Sequence, residues 1–238
     1  MSWCEQPGFW IGSEVLQNYG CRMMSGLWVT LQLVAISVSL GFFLGLALAL
    51  TRLYGPRWAG AIVTGYTTFM RGTPLLCQLF FVYYGFGQLR PFWQEMGLWW
   101  FFREPYWCAL FTFTLNTAAY QAEVFRGAIQ SIHKGQFEAA QALGLKNVPL
   151  MLRVVLPQAM ILALRPLGNE LVVMIKSSAV ASLVTLFDLM GATRLAFARS
   201  FDLTIYIYAA LLYLVMVETI RRIWDVMERR LTRHLVLR

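Results

Sequence analysis

The longest uncharged stretch of the chain, residues 27–50, limits the folds that are open to it. Its 24 residues contain no Asp, Glu, Lys or Arg. As an α-helix they extend roughly 36 Å, which is enough to cross the hydrocarbon core of a bilayer with some tilt. Gly41 and Gly45 form a small-xxx-small pair within the stretch, and we interpret this pair as plain helix packing. The stretch therefore predicts a protein of membrane-spanning helices.

Composition supports this interpretation and excludes another. The chain is 58% apolar and 13% charged, whereas a soluble domain carries about 25% charged residues. The net charge of +8 would suggest nucleic acid in a soluble protein. No basic stripe carries aromatic residues in a folded soluble domain, so we assign the basic residues to cytoplasmic loops.

Cysteine and histidine usage gives no sign of a metal site or of catalysis. The four cysteines show no CxxC spacing, and His133 and His234 lie far apart in the sequence. HExxH and GxSxG motifs are also absent. We therefore expect no catalytic residue, no bound metal and no cofactor in this chain, and a membrane-embedded enzyme is disfavoured.

Four further apolar segments predict additional spans. They are residues 59–84, 106–122, 158–177 and 203–224. An aromatic outer segment at 85–105 and a short apolar segment at 178–190 complete the pattern; we expect the latter to re-enter the membrane or lie at its outer face. Five spans place the two chain ends on opposite sides.

The distribution of Lys and Arg sets the orientation. The segments on one side, including the polar loop 123–165 and the C-terminus, hold 13 basic residues, and those on the other side hold 5. The positive-inside bias places the loop and C-terminus in the cytoplasm and the N-terminus outside. The predicted organisation is a periplasmic or interfacial segment at 1–26, a transmembrane domain at 27–225 and a basic cytoplasmic tail at 226–238.

The polar loop contains a predicted helix at residues 136–143. Gly144 suits a left-handed C-terminal stop, and Asn147 can cap a second helix with Pro149 in its first turn. Pro157 then breaks this helix or starts the fourth span, near residue 158.

The small side chains of Ala139 and Ala140 allow the first loop helix to lie deep in a groove of another protein. A solvated helical hairpin is the alternative, and spacing alone does not distinguish the two.

The loop residues carry a family resemblance. Glu138-Ala139-Ala140, Gly144 after three further residues and Leu156-Pro157 resemble the EAA signature of ABC-importer permease subunits, with Val154 where isoleucine is usual. Four other segments, 69–76, 115–123, 125–129 and 168–171, resemble the polar amino-acid branch, which includes histidine, arginine, opine and glutamine permeases.

The resemblance implies an all-α membrane protein with the five-core-helix type I ABC importer permease fold. It implies that two permease subunits, identical or paralogous, pair around a translocation path in the bacterial inner membrane. Two cytoplasmic ATP-binding subunits receive the EAA helices, and a periplasmic binding protein delivers the amino acid. The chain has no GxxxxGK[ST] loop, so we expect ATP and Mg²⁺ to be bound by the partner subunits.

The second predicted span contains Arg71-Gly72-Thr73-Pro74, which predicts a kink with backbone groups in need of partners. A charge inside a membrane faces protein or water, so Arg71 is a candidate functional residue. The alternatives are that Arg71 caps carbonyls at the break or pairs with an acid. Thr73 and Asn116 are further candidates for the substrate path.

The fourth predicted span carries Asn169-Glu170 shortly after Pro166. A carboxylate at that depth is costly unless it is paired or hydrated, so Glu170 either contacts a cationic substrate group or pairs with Arg71. The Asn-Glu pair resembles the arginine, histidine and opine members, whereas glutamine-type members tend to carry a neutral residue. A secondary transporter or channel that needs no ATPase is the competing function, although no clear internal repeat supports it.

Overall fold

The structure, a computed structural model, describes residues 14–233, and all of its regular elements in that range are helical. The helices are α1 (Glu14–Tyr54), α2 (Arg57–Gly72), α3 (Leu75–Phe80), α4 (Arg90–Glu95), α5 (Trp99–Arg103), α6 (Pro105–Gln130), α7 (Lys134–Ala142), α8 (Asn147–Leu150), α9 (Leu156–Ser177), α10 (Leu189–Ser200) and α11 (Thr204–Leu231). Short π-helical turns occupy Phe81–Gly85 and Met151–Val155, and a 3₁₀ segment occupies Ser178–Val184.

Three stretches of the described chain are long and apolar enough to cross a membrane: Leu16–Tyr54, Val148–Val184 and Thr204–Leu231. The predicted second span is divided at Thr73-Pro74 into α2 and α3, where proline lacks the amide hydrogen that a helix requires. The predicted third span forms the first part of α6. The helical class of the fold is thus confirmed, while the number of core helices and the orientation of the chain ends stay predictions.

The fourth helix was predicted to start near residue 158, and α9 begins at Leu156 with Pro157 in its first turn, where proline is tolerated. The prediction missed that α9 is not separate from the second loop helix. Helix α8 begins at Asn147 and continues through the π-helical turn at Met151–Val155 directly into α9. The second half of the polar loop is therefore an extension of the fourth span.

The chain contains two compact units. The first holds the described residues up to Val38, Thr73–Thr114 and Val173–Thr219; the second holds Ser39–Gly72, Leu115–Val172 and the residues from Ile220.

The first unit is stabilised by a buried polar contact at the start of α10. Asp188 caps that helix by accepting from the Gly191 amide at 2.8 Å. Thr30 of α1 accepts from the Leu189 amide at 3.1 Å. A side chain at Gly26 would lie 2.6 Å from the Asp188 carbonyl oxygen, so only glycine allows α1 to approach this closely. A second cluster of the unit packs α4 and α5 through aromatic rings, with Trp93 and Phe102 centroids 4.2 Å apart.

The core of the second unit joins α1, α6, α7 and α9. It contains Ala49, Phe125, Ala128, Ile129, Ile132, Ala140, Leu150, Val155, Ala159, Ala163 and Leu167. The interpretation of Gly45 as a packing residue is supported, because a Cβ there would lie 2.9 Å from the Ala118 carbonyl oxygen of α6. Trp224 of α11 packs against this core and donates from its indole nitrogen to the Leu164 carbonyl oxygen of α9 at 3.0 Å.

Candidate functional site

An open, groove-like cavity of about 520 Å³ lies at the surface of the second unit. Its walls are Tyr120, Glu123, Val124, Gly127, Ala128 and Ser131 of α6, Leu162, Pro166 and Glu170 of α9, and Arg71 of α2. The α6 residues recur at spacings of three and four, so they form one face of that helix, and the α9 residues recur at spacings of four. Two helix faces thus line a groove with charged groups along it.

Arg71 and Glu170, both predicted for the substrate path, line this cavity. The Arg71 guanidinium carbon lies 5.4 Å from the centroid of the Tyr120 ring, a cation–π arrangement that orients the group without using its N–H donors. The Arg71 charge acts on the half-buried Glu170 carboxylate, but no salt bridge joins the two side chains. Each therefore retains hydrogen-bonding capacity toward the cavity.

Glu123 is a third charged group of the cavity, and its two carboxylate oxygens are both occupied. Oε1 accepts from Arg52 of α1 and, at 3.4 Å, from the Thr67 hydroxyl of α2. Oε2 accepts from Arg126 Nε at 2.9 Å and forms an ion pair with Arg126 Nη2 at 2.8 Å. The side chain is 16% exposed.

Glu123 lies one residue beyond the predicted third span, and its environment shifts its protonation. Burial raises its pKa, but hydrogen bonds and charges from Arg126 and then Arg52 outweigh burial and hold the pKa below the usual carboxyl value. Glu123 is thus an ionised carboxylate fixed between two helices.

The other predicted path residues do not line this cavity. Asn116 is buried and donates to the Met70 carbonyl oxygen at 3.3 Å, which joins α6 to α2. Asn169 is exposed and lines a different cavity, of about 460 Å³, between α9 and α11. Thr73 belongs to the first unit, where its hydroxyl accepts from Gln78 at 2.8 Å at the break after α2.

The predicted loop helix is present as α7. His133 caps its start, with the imidazole Nδ1 accepting from the Gly135 amide at 3.1 Å. The helix ends before Gly144, which has the left-handed φ of +77° that favours glycine. The chain then enters α8 at Asn147.

The EAA residues divide between the core and the surface. Ala140 is buried in the core of the second unit, whereas Glu138, Ala139 and Gly144 are exposed. Leu156 is half-buried and Pro157 is exposed. Three apolar side chains of the same loop are also exposed: Leu143, Val148 and Leu152. Exposed apolar side chains of this kind are typical of protein-binding sites.

The sequence analysis missed Glu123 and Tyr120 as cavity residues. A signal was present in the spacing of Tyr120, Glu123, Gly127 and Ser131, which recur every three or four residues and so share one helix face. The partnership of Glu123 with Arg52 had no such signal, because the two residues are 71 positions apart.

Long apolar helices, a charged cavity between helices and a polar loop helix define a membrane-embedded transport component rather than a soluble domain. The chain belongs to the family of binding-protein-dependent transport system inner membrane components, whose family model matches residues 41–233. The resemblance found from the EAA residues is thereby confirmed. Among residues 14–233, no group of three or more His, Cys, Asp or Glu side chains is arranged to hold a metal ion.

Several characterised relatives cover most of this chain. It is 37% identical to the nopaline transport system permease protein NocM of Agrobacterium fabrum over 215 residues, which are 90% of this chain and 89% of that one. It is 37% identical to the octopine permease protein OccM of Rhizobium radiobacter, covering 87% and 84% of the two chains. It is 35% identical to the arginine ABC transporter permease protein ArtM of Haemophilus influenzae, covering 85% and 88%.

Solved structures agree with the fold. A crystal structure of an amino acid ABC transporter with histidines superposes with a TM-score of 0.79 at 31% identity and covers 92% of this chain and all of that one. An inward-facing structure of the MetNI methionine ABC transporter has a TM-score of 0.76 at 20% identity, covering 93% of this chain and all of that one; at this identity it supports the fold alone.

Proposed function

We propose that this chain passes a zwitterionic amino acid or opine, with a cationic side chain, across the bacterial inner membrane. The proposal rests on one observation: the Arg71 guanidinium and the Glu170 carboxylate belong to residues that line the same cavity of about 520 Å³. The volume is within the range of small-molecule sites. An amino acid offers a carboxylate for a guanidinium and a cationic group for a carboxylate, so both charges of the site find a partner.

The relatives favour a guanidinium-bearing substrate. Octopine, nopaline and arginine systems are all named among them. A guanidinium forms bidentate hydrogen bonds with a carboxylate, and Glu170 is the cavity carboxylate that has no arginine hydrogen-bonded to it. We therefore assign Glu170 to the cationic end of the substrate and Arg71 to the carboxylate end.

Uptake by the reconstituted importer tests the assignment of Glu170. Glu170→Gln keeps the shape of the side chain and removes its charge, so arginine uptake should fall by about ten-fold or more, the value of a hydrogen bond between charged groups. The control is Glu228→Gln, because Glu228 is paired with Arg165 outside this cavity. Both variants should co-purify with the ATPase subunits. Arginine uptake by Glu170→Gln at the rate of the control would exclude Glu170 from the path.

We infer that the loop from α7 to α8 couples the chain to one of the importer's two separate ATPase subunits, which bind ATP and Mg²⁺. The support is the exposure of Glu138 and Ala139 on α7 and of the apolar side chains of Leu143 and Val148 in the same loop, while Ala140 packs α7 against the core. The proposal also includes two partners, a second permease subunit and a periplasmic binding protein. It further includes five core helices and an external N-terminus for this chain.

Charge reversal at the loop tests the coupling. Glu138→Arg should weaken binding of the ATPase subunit by about ten-fold. It replaces a negative charge by a positive one in a closely packed contact, where the new charge is either repelled by a positive group of the partner or left without a partner. Glu95→Arg, which makes the same change at an exposed residue of α4, should bind normally in the same pull-down titration. Equal binding by both variants would remove Glu138 from the contact.

A further inference from the structure

Glu123 lies along the same cavity wall as the residues assigned to the substrate. Tyr120, which holds Arg71, is three residues before it on α6, and Gly127 and Ser131 follow it on the same face toward the end of the helix. One helical turn is about 5.4 Å. A molecule that moves from Arg71 and Glu170 toward Ser131 therefore passes Glu123.

The arginines around Glu123 come from different places in the fold. Arg126 is on α6 itself and is further held by Gln130, whose side-chain oxygen accepts from Arg126 Nη1 at 2.6 Å. Arg52 is in the last turn of α1, shortly before the exposed residues Tyr54 and Gly55. The Arg52–Glu123 contact thus ties α1 to α6 beside the cavity, and Arg52 has solvent within reach of its long side chain.

Charge balance decides what a cation does at this point. A guanidinium that arrives while Arg52 and Arg126 both hold Glu123 meets a group of net charge +1 and is repelled. If Arg52 withdraws, the arriving guanidinium takes its place on Oε1, and Glu123 again has two cations. The exchange leaves no buried carboxylate unpaired, which is the costly state.

We propose that Glu123 is a second cation-binding residue of the path, which we call the station. The Arg52–Glu123 ion pair is a latch, because the cationic end of the substrate must take the place of Arg52 on Glu123. This inference rests on the proposed function, since it requires a cationic substrate in the cavity. It assigns Arg126 to holding the Glu123 carboxylate in place throughout the exchange.

The test uses the complete importer in proteoliposomes, with its binding protein and with radiolabelled arginine as the probe. Glu123→Gln removes both station and latch, and arginine uptake should fall by about ten-fold or more. Arg52→Gln removes the latch alone, and ATP hydrolysis in the absence of substrate should rise severalfold. The matched control is the Arg165–Glu228 pair, which joins α9 to α11 outside the cavity; Arg165→Gln and Glu228→Gln should leave both rates near those of the unaltered importer.

Exchanging the charges of residues 52 and 123 distinguishes a cation-binding residue from an ion pair that only holds the two helices together. The double variant Arg52→Glu with Glu123→Arg restores an attraction between α1 and α6 but presents a cation to the cavity. We expect low hydrolysis without substrate and no recovery of arginine uptake. Recovery of uptake would show that only the pair matters and would overturn the station. If the double variant does not assemble, Glu123→Gln decides: uptake at the control rate overturns the proposal, and the expected loss, with assembly intact, supports it.

Glu170→Gln measured in the same vesicles distinguishes the two proposals. Loss of uptake in Glu170→Gln but not in Glu123→Gln retains the site of the proposed function and rejects the second station. Loss in Glu123→Gln alone retains the station and rejects Glu170. Absence of arginine uptake by the unaltered importer rejects the substrate assignment on which both rest.

Discussion

The contact between Gly168 of α9 and Trp224 of α11 allows a prediction whose size follows from the structure. A Cβ at position 168 would lie 2.5 Å from the indole nitrogen of Trp224 and 2.6 Å from its Cδ1. The same indole nitrogen donates to the Leu164 carbonyl oxygen at 3.0 Å. In Gly168→Ala the indole must move away, and this hydrogen bond is lost with it.

The expected cost combines two effects. Overpacking by one methyl group costs about 1–3 kcal/mol, and loss of the hydrogen bond costs about 0.5–1.5 kcal/mol. Alanine also gains about 1 kcal/mol over glycine inside a helix. Gly65→Ala measures that gain alone, because a Cβ at Gly65 meets nothing within 4 Å. Relative to Gly65→Ala, Gly168→Ala should be less stable by roughly 2–4 kcal/mol.

A double-mutant cycle tests the cause. Trp224→Phe removes the indole nitrogen, which is the atom nearest to the added Cβ and the donor of the hydrogen bond, so Gly168→Ala should cost at least about 1 kcal/mol less in its presence than in the original chain. The measurement is the free energy of unfolding in mixed micelles titrated with denaturing detergent. Equal stability of Gly168→Ala and Gly65→Ala, or strict additivity in the cycle, would refute the packing account.

Two further predictions concern the loop and the ion cluster. Gly144→Val should destabilise the end of α7 by about 1–2 kcal/mol, because a β-branched residue is strained at a φ of +77°, whereas Gly144→Asn should be milder; unfolding and ATPase-subunit pull-down of the two variants give the comparison. The lowered pKa of Glu123 means that its ionised form stabilises the folded state above the usual carboxyl pKa of 4.5 and that this contribution is lost as the pH falls through the lower folded value. The difference in unfolding midpoint between the original chain and Glu123→Gln should therefore stay constant from about pH 7 to about pH 5 and shrink only at more acidic pH; a difference that shrinks already near pH 6 would contradict the two-arginine environment.

Features that depend on neighbouring residues were predictable from the sequence. Residues 136–143 form a helix that ends before Gly144, as the turn chemistry indicated, and the Arg71-to-Pro74 segment does interrupt the second predicted span. The start of α8 at Asn147 was likewise predicted, although its continuation into α9 was not. The π-helical turn at Met151–Val155 joins α8 to α9 just before Pro157, and hydrophobic periodicity gives no signal for such a turn.

Features that depend on tertiary contact were predictable only in part. Arg71 and Glu170 were identified because charge is rare in apolar segments, and they do share a cavity. Arg71 lies over the Tyr120 ring, and its charge acts on the Glu170 carboxylate without a salt bridge between them. Glu123 directly follows the predicted span 106–122, and its environment was not predictable because it depends on Arg52, 71 positions away in the sequence.

The helix is continuous from Asn147 through Glu170, so the number of residues in that stretch sets the direction in which Glu170 points relative to the loop. Each residue of an α-helix turns the chain by about 100°. Deleting or inserting one residue between Leu156 and Glu170 would therefore point the carboxylate away from the groove while leaving composition and hydropathy almost unchanged. Among related chains, substitutions should be common on the outer side of this helix, but length changes within it should be rare. The angular phase between the loop and Glu170 is thus a requirement of the proposed site in its own right, alongside the identity of the glutamate.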